Sequence, residues 1–466
     1  MIYVSTRGAA PALGFQDVLL TGLASDGGLY VPQAWPEWSA DEFQRLAGRP
    51  YADVALAVMR PFVGDAIPET DFRRMIEEAY GRFDHPAVTP LKQLDSNHWL
   101  LELFHGPTLA FKDLAMQLLA RLIDWALEQN DAHATIIAAT SGDTGGAAVE
   151  AFRGSRRANV FILHPHGRVS EVQRRQMTTA AEPNIHNIAI EGTFDDAQAL
   201  VKAMFNDRAF RQRMRLAGVN SINWARIMAQ TVYYVTAGLA LGAPGRRVSF
   251  TVPTGNFGDA FAGWAAKKMG LPIEKLVIAT NINDILHRTL KTGRYEVTRV
   301  ETTASPSMDI QVSSNFERLL FEATGRDGAE VARLMHGLGQ SGAFTVPPAA
   351  LERIGAEFTS YRSDEEETRA CIASTWATAG ELLDPHTAVG YAAARRADGA
   401  APMVTLATAH PAKFPDAVEA ASGVWPTVPA RLAELLGRPE RYDILPGAVD
   451  VVSTYIETAS AERRSR

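Results

Sequence analysis

From Trp99 onward the chain repeats one pattern, and that pattern restricts the fold more than any other feature. A short apolar run of β type is followed by a loop rich in Gly, Thr and Pro, and then by a helical stretch. The run 99–104 precedes helical 112–130, the run 135–139 precedes helical 145–152, and 160–163 precedes a helical pattern from Ser170. After helical 224–241 the pattern resumes with a strand at 248–252, a helix at 257–269 and a strand at 276–280, and 403–407 reads as one more buried strand. Strands alternating with helices of this length predict βαβ units, hence an α/β fold with open, mainly parallel sheets. Pro244-Gly245 is the expected joint between two such halves. Ahead of them, a strand at 2–6, a short helix at 14–23 and a turn at 26–32 predict a mixed N-terminal domain. The expected organisation is an N-terminal α+β domain over 1–97, a first α/β portion over 98–245 and a second over 246–466, with the halves free to exchange segments. Residues 325–380 read as helical and charged without a resolvable topology, and the last residues as a frayed tail.

Composition narrows the chemistry. With 466 residues, 46% of them apolar and 21% charged, the chain can bury a large core. Its net charge of -7 provides no general attraction to nucleic acid or to an anionic membrane, so neither is expected as a partner. An anionic ligand would need a local site. The single cysteine, Cys371, excludes an internal disulfide and a cysteine metal cluster, and fits a reducing, cytoplasmic setting. The histidines show no metal-ligand spacing, so no metal is expected. No apolar run reaches the roughly 18 residues of a membrane span, and the N-terminus has no secretory pattern.

Ligands of parallel sheets bind beyond the carboxyl ends of strands, and four loops there are chemically unusual. In HGPTLAFKD, 105–113, Lys112 stands at a helix start among Leu109, Ala110 and Phe111. The positive end of a helix dipole and desolvation both lower a lysine's proton affinity, which suits a nucleophilic amine. A solvated lysine beside Asp113 is the plainer alternative. In TSGDTGGAA, 140–148, glycines and a helix N-terminus offer N–H groups to a carboxylate or a phosphate, flanked by Thr140, Ser141, Gly142, Asp143 and Thr144. An ordinary capped turn would use the same residue types. In PTGNFGDAF, 253–261, Gly255, Asn256, Phe257 and Gly258 would form a concave run of donors for a phosphate. In LATAHPAKF, 406–414, Thr408 ends an apolar strand. Together these are a reactive amine and two anion cradles, the parts a pyridoxal-phosphate enzyme needs.

The segments HGPTLAFKD, ATSGDTGGAA, VPTGNFGD and TAHPAKF, in this order, resemble threonine synthases of the longer bacterial and fungal form. STRG at Ser5, DGGLYVP at Asp26, INWARI at Ile222 and SSNFERLLFE at Ser313 agree with the same family, so the resemblance spans nearly the whole chain. It implies the tryptophan-synthase-β type of fold (pyridoxal-phosphate fold type II), with pyridoxal 5'-phosphate between two α/β halves. It also implies Lys112 as the Schiff-base lysine and catalytic proton carrier, and Gly255, Asn256, Phe257, Gly258 and Asp259 as the loop for the cofactor phosphate. Thr408 would be the hydroxyl partner of the pyridine nitrogen, and 140–144 would take the substrate carboxylate, with Asp143 near the cofactor's phenolic oxygen. Related lyases place Asn where this chain has Asp143, which leaves the ionisation of Asp143 open.

The implied reaction converts O-phospho-L-homoserine and water to L-threonine and phosphate by γ-elimination and β-hydration. The departing phosphate needs cations, for which Lys413, Arg226, Arg168 and Arg174 are the candidates. His105 and Thr108 are candidates to line the cleft. A lyase releasing a keto acid and ammonia would use the same residues, and a non-catalytic descendant would be marked by loss of the lysine. A monomer or small homo-oligomer is expected.

Overall fold

The computed structural model describes residues 1–140 and 142–464. The C-terminal four-fifths is built on two parallel sheets, as the alternation predicts. One has six strands in the order Phe358–Arg362, Ile273–Thr280, Val248–Pro253, Met403–Ala407, His98–Glu102 and Leu91–Gln93, and only the last pair is antiparallel. The other has five parallel strands in the order Asp443–Pro446, Ile185–Glu191, Ala158–Pro165, Ala134–Ala139 and Leu216–Ala217. Strands such as ANVFILHP are buried at every position, the pattern of a sheet covered on both faces.

The two halves exchange segments across the divisions expected at 97/98 and 245/246. His98–Glu102 pairs with Met403–Ala407 in the sheet of the C-terminal portion, while Asp443–Pro446 completes the sheet of the earlier portion. The stretch 325–380, whose topology the sequence leaves open, supplies helices Gly328–Ser341, Pro348–Glu357 and Glu365–Ala379, with the strand Phe358–Arg362 hidden between them.

The N-terminal region is a small antiparallel sheet, Leu13–Gly14, Ile2–Ser5 and Tyr30–Pro32, followed by helices Ala40–Leu46, Tyr51–Val63 and Glu69–Tyr80. It packs on the helix Trp224–Ala240 through an aromatic cluster. Tyr3, Trp35 and Phe62 surround Trp224 with ring centroids 5.8, 5.8 and 5.6 Å away. The buried Arg318 guanidinium adds hydrogen bonds to the Tyr30 and Ile222 carbonyls, joining this region to the α/β halves. Among the described residues, no helix is long and apolar enough to cross a membrane and no group of three or more metal-ligating side chains forms.

Candidate active site

Three adjacent parallel strands, Val248–Pro253, Met403–Ala407 and His98–Glu102, end on the same edge of their sheet. They therefore deliver the phosphate-type loop, Thr408 and the Lys112 loop to one place. Phe111 N–H donates to the Thr408 carbonyl at 2.8 Å, which ties the last two together. From the other sheet, the strand Ala134–Ala139 delivers the Thr140–Thr144 loop.

Lys112 is the first residue of helix Lys112–Gln129 and is buried. Its neighbour Asp113 does not shield it. That carboxylate turns to Thr108, accepting from the backbone N–H at 2.7 Å and the hydroxyl at 2.8 Å. The Lys112 amine instead donates to Asp143 Oδ2 and to Ser307 Oγ, both at 3.1 Å. Burial lowers its proton affinity, Asp143 opposes this, and the nearby Lys413 and Arg226 lower it further; the net direction is down. Such an amine is closer to its nucleophilic form than a solvated lysine.

Asp143 lies in the first turn of helix Asp143–Phe152 and is hemmed by donors. Lys413 Nζ meets its Oδ1 at 2.7 Å and Gln173 Nε2 donates to the same oxygen at 2.9 Å. Burial would raise this carboxyl, but Lys112 and Lys413 outweigh it and hold Asp143 well below the usual range. With both lysines beside it, Asp143 is held toward its ionised form. Lys413, expected to face a phosphate, is fully buried on Asp143 and on the Thr108 carbonyl, 2.8 Å away.

The Thr140 hydroxyl accepts from Gly142 N–H and Gly145 N–H, both at 2.9 Å, and so holds the loop in shape from within. Gly142 has φ 145°, a conformation that L side chains rarely adopt, and a Cβ there would also press on the end of the Gln173 side chain at 2.4 Å. Thr144 is half-buried beside them. Ser141 lies outside the described residues.

On the phosphate-type loop, Phe257 is in the left-handed region at φ 63° and the helix Gly258–Lys268 starts behind it. Its ring is buried between Phe316 and Phe358, so it contributes packing and backbone, not a side-chain ligand. The Ser313–Asn315 segment braces the loop: Ser313 Oγ donates to the Gly255 carbonyl at 2.7 Å, and Asn315 donates twice to the Asn256 carbonyl at 3.0 Å. A Cβ on Gly255 would come within 2.7 Å of the Ser307 carbonyl. Ser307 therefore touches both the lysine and this loop. Asp259 is turned into the core, where its Oδ1 accepts from Tyr233 at 2.5 Å and Tyr234 at 2.9 Å.

The remaining cations separate clearly. Arg168 is exposed, and Arg174 forms an ion pair with Glu440 at 2.8 Å. His105 pairs through Nε2 with Glu102 at 2.7 Å. Arg226 is different: it is buried, reaches one carbonyl, that of Val219, at 3.4 Å, and its Nε has no partner among the described residues. Burial pushes its guanidinium down to about 10. A buried cation left this poorly paired is costly unless an anion completes it.

Ser307, Gln173, His386 and Asp384 belong to this site although sequence reasoning missed them. The signals were slight. DPHT, 384–387, is an N-cap aspartate with proline at the first helical position, and SPSM, 305–308, is a single short helical turn.

A buried amine of lowered proton affinity can take a carbonyl electrophile, and the helix N-terminus at Gly258, which no side chain caps, can take a phosphate. Pyridoxal phosphate carries both groups, and the residues present fit it. The family model "Pyridoxal-phosphate dependent enzyme" matches residues 83–408, placing the chain in that class. The flanks are more specific, since "Threonine synthase N terminus" matches 2–80 and "Threonine synthase, C-terminal" matches 387–456. A threonine synthase of Pseudomonas aeruginosa is 55% identical over 459 residues, covering 98% of each chain. The solved PLP-bound threonine synthase of Brucella melitensis superposes with a TM-score of 0.97 at 60% identity, and the yeast enzyme with 0.93 at 39%, each covering 99% of both chains. The chain belongs to the threonine synthase family.

Proposed function

We propose that this protein converts O-phospho-L-homoserine and water to L-threonine and inorganic phosphate. Lys112 carries the reading: a buried amine of lowered proton affinity, held between Asp143 and Ser307 where the loops of both sheets meet. Lys112 would hold the cofactor, the 255–258 loop and the Gly258 helix its phosphate, and Thr408 its pyridine nitrogen. When bound, pyridoxal phosphate supplies an electron sink for charge developing on the substrate's carbons.

The product hydroxyl sits one carbon closer to the amino group than the phosphate of the substrate. Protons must therefore move along the chain of carbons, and Lys112 would be the base and acid that moves them. The 140–144 loop offers its N–H groups to the substrate carboxylate. Arg226, whose guanidinium is buried and under-paired, would take the substrate's departing phosphate. Asp143, charged and shared by two lysines, keeps the amine oriented.

Purified protein loaded with pyridoxal phosphate should form threonine and phosphate in equal amounts from O-phospho-L-homoserine. Ammonia and 2-oxobutyrate as the main products would replace this reading with a lyase that releases a keto acid.

A further inference from the structure

Asp384 is fully buried, caps helix Pro385–Ala394 and accepts hydrogen bonds on both oxygens. Two chains of contacts leave it. From Oδ2, at 2.7 Å, comes His386 Nδ1, and His386 Nε2 accepts from the Ser307 backbone N–H at 3.2 Å. The ring proton is accordingly on Nδ1, and the neutral imidazole passes the carboxylate's hold to Ser307, whose hydroxyl meets the Lys112 amine at 3.1 Å. From Oδ1 comes the Thr387 hydroxyl, which accepts in turn from the Thr408 N–H at 3.2 Å.

We propose that Asp384 is a positioning residue that sets both poles of the cofactor site at once, Lys112 through His386 and Ser307, and Thr408 through Thr387. This rests on the reading above of Lys112 and Thr408 as the groups that meet the cofactor. The loop around Ser307 is built to transmit the hold. Asp309 accepts from Thr303 N–H at 2.9 Å, Thr303 Oγ1 at 2.7 Å and Asn281 Nδ2 at 2.8 Å, so the turn 303–309 is cross-braced. The Ser307 carbonyl packs on Gly255. A carboxylate is needed at 384 because every partner of its oxygens donates: His386 N–H and Nδ1–H on one, Thr387 N–H and Oγ1–H on the other. An amide would present N–H groups to one of these donors.

The test is Asp384→Asn in the full chain, free of cofactor. Trace acetic anhydride labelling across pH, followed by peptide mass spectrometry, reports the half-labelling pH of Lys112, whose charged neighbours are Asp143, Lys413 and Arg226. Amide hydrogen exchange reports the Ser307 and Thr408 N–H groups. Asp384→Asn should speed exchange at both amides by about tenfold or more. It should also shift the Lys112 labelling profile by roughly half a pH unit. A folded Asp384→Asn protein with an unchanged Lys112 profile would overturn the proposal. If that variant does not fold, the single-arm variants decide. Ser307→Ala must move the Lys112 profile, and Thr387→Val must release only the Thr408 amide; the opposite result in either overturns the proposal. None of these measurements needs substrate, so failure of wild-type protein to form threonine would sink the proposed reaction and leave this inference standing.

Discussion

Asp143 and Asp259 occupy the same place in their respective halves. Each stands in the first turn of a helix that follows a buried parallel strand and a glycine-rich loop, and each is almost completely buried. Burial and the positive helix end act alike on both. Their proton affinities nonetheless shift in opposite directions. Lys112 and Lys413 hold Asp143 well below the usual carboxylate range, whereas burial pushes Asp259 up to about 6 against only the hydroxyls of Tyr233 and Tyr234. The partner, not the position in the fold, decides the direction of the shift. One half of the site therefore carries a buried ion cluster, and the other uses its aspartate to anchor the helix behind the 255–258 loop on the helix Trp224–Ala240.

Removing Lys112 tests the active side most severely. Lys112→Ala should abolish threonine formation while the circular dichroism spectrum stays that of the wild type, because Lys413 still neutralises Asp143. Threonine produced by the purified variant would show that the amine is not the proton carrier. Asp143→Asn comes next. It leaves two buried lysines facing a neutral amide, and breaking a buried ion pair from one side costs roughly 3–5 kcal/mol. Urea unfolding of the cofactor-free protein at pH 7 should show a loss of that order. A loss below about 1 kcal/mol, the level of a surface pair, would mean that the cluster is solvated and the contrast with Asp259 is false.

The two aspartates also show how far the sequence could be read. The Lys112, 140–148, 253–261 and 406–414 loops were legible because their signals are local: an apolar β run, then glycines and hydroxyls, then a helix. The same local logic predicted a lysine of lowered proton affinity at a helix start, and the structure agrees in direction. What escaped is whatever depends on distance along the chain. Ser307 is 195 residues from the amine it touches, and one serine in a polar turn has no signature of its own. Lys413 and Asp259 stand in the expected loops, yet the loop motif says nothing about which neighbour each side chain meets. Lys413 found a carboxylate from the other sheet's loop, far away in sequence, and Asp259 two tyrosines of the preceding helix Trp224–Ala240. The strand Phe358–Arg362 was hidden for a related reason. FTSYR is short, lies between charged helices, and becomes a strand by pairing with Ile273–Thr280.

Asp259→Asn should have the smallest effect and separates the two aspartates by sign. A carboxyl raised in the folded state to about 6 from its ordinary 3.8 binds its proton more tightly when folded. The stability it contributes is complete below about 4 and is lost as pH rises through about 6, up to roughly 3 kcal/mol for a shift of this size. Asparagine does not titrate, so wild-type stability relative to Asp259→Asn should fall between pH 4 and pH 7. Asp143 runs the other way. Its folded value is depressed, so its contribution is present above the ordinary 3.8 and disappears as pH falls below it. Urea midpoints of wild type and both variants across this range give two difference curves. Threonine formation by Asp259→Asn should stay within about tenfold of wild type, since the amide can still accept from the tyrosines and the side chain faces the core. If the wild type instead gained stability over Asp259→Asn as pH rose from 4 to 7, Asp259 would be a charged member of the site like Asp143, with a cation in reach that the two tyrosines do not supply.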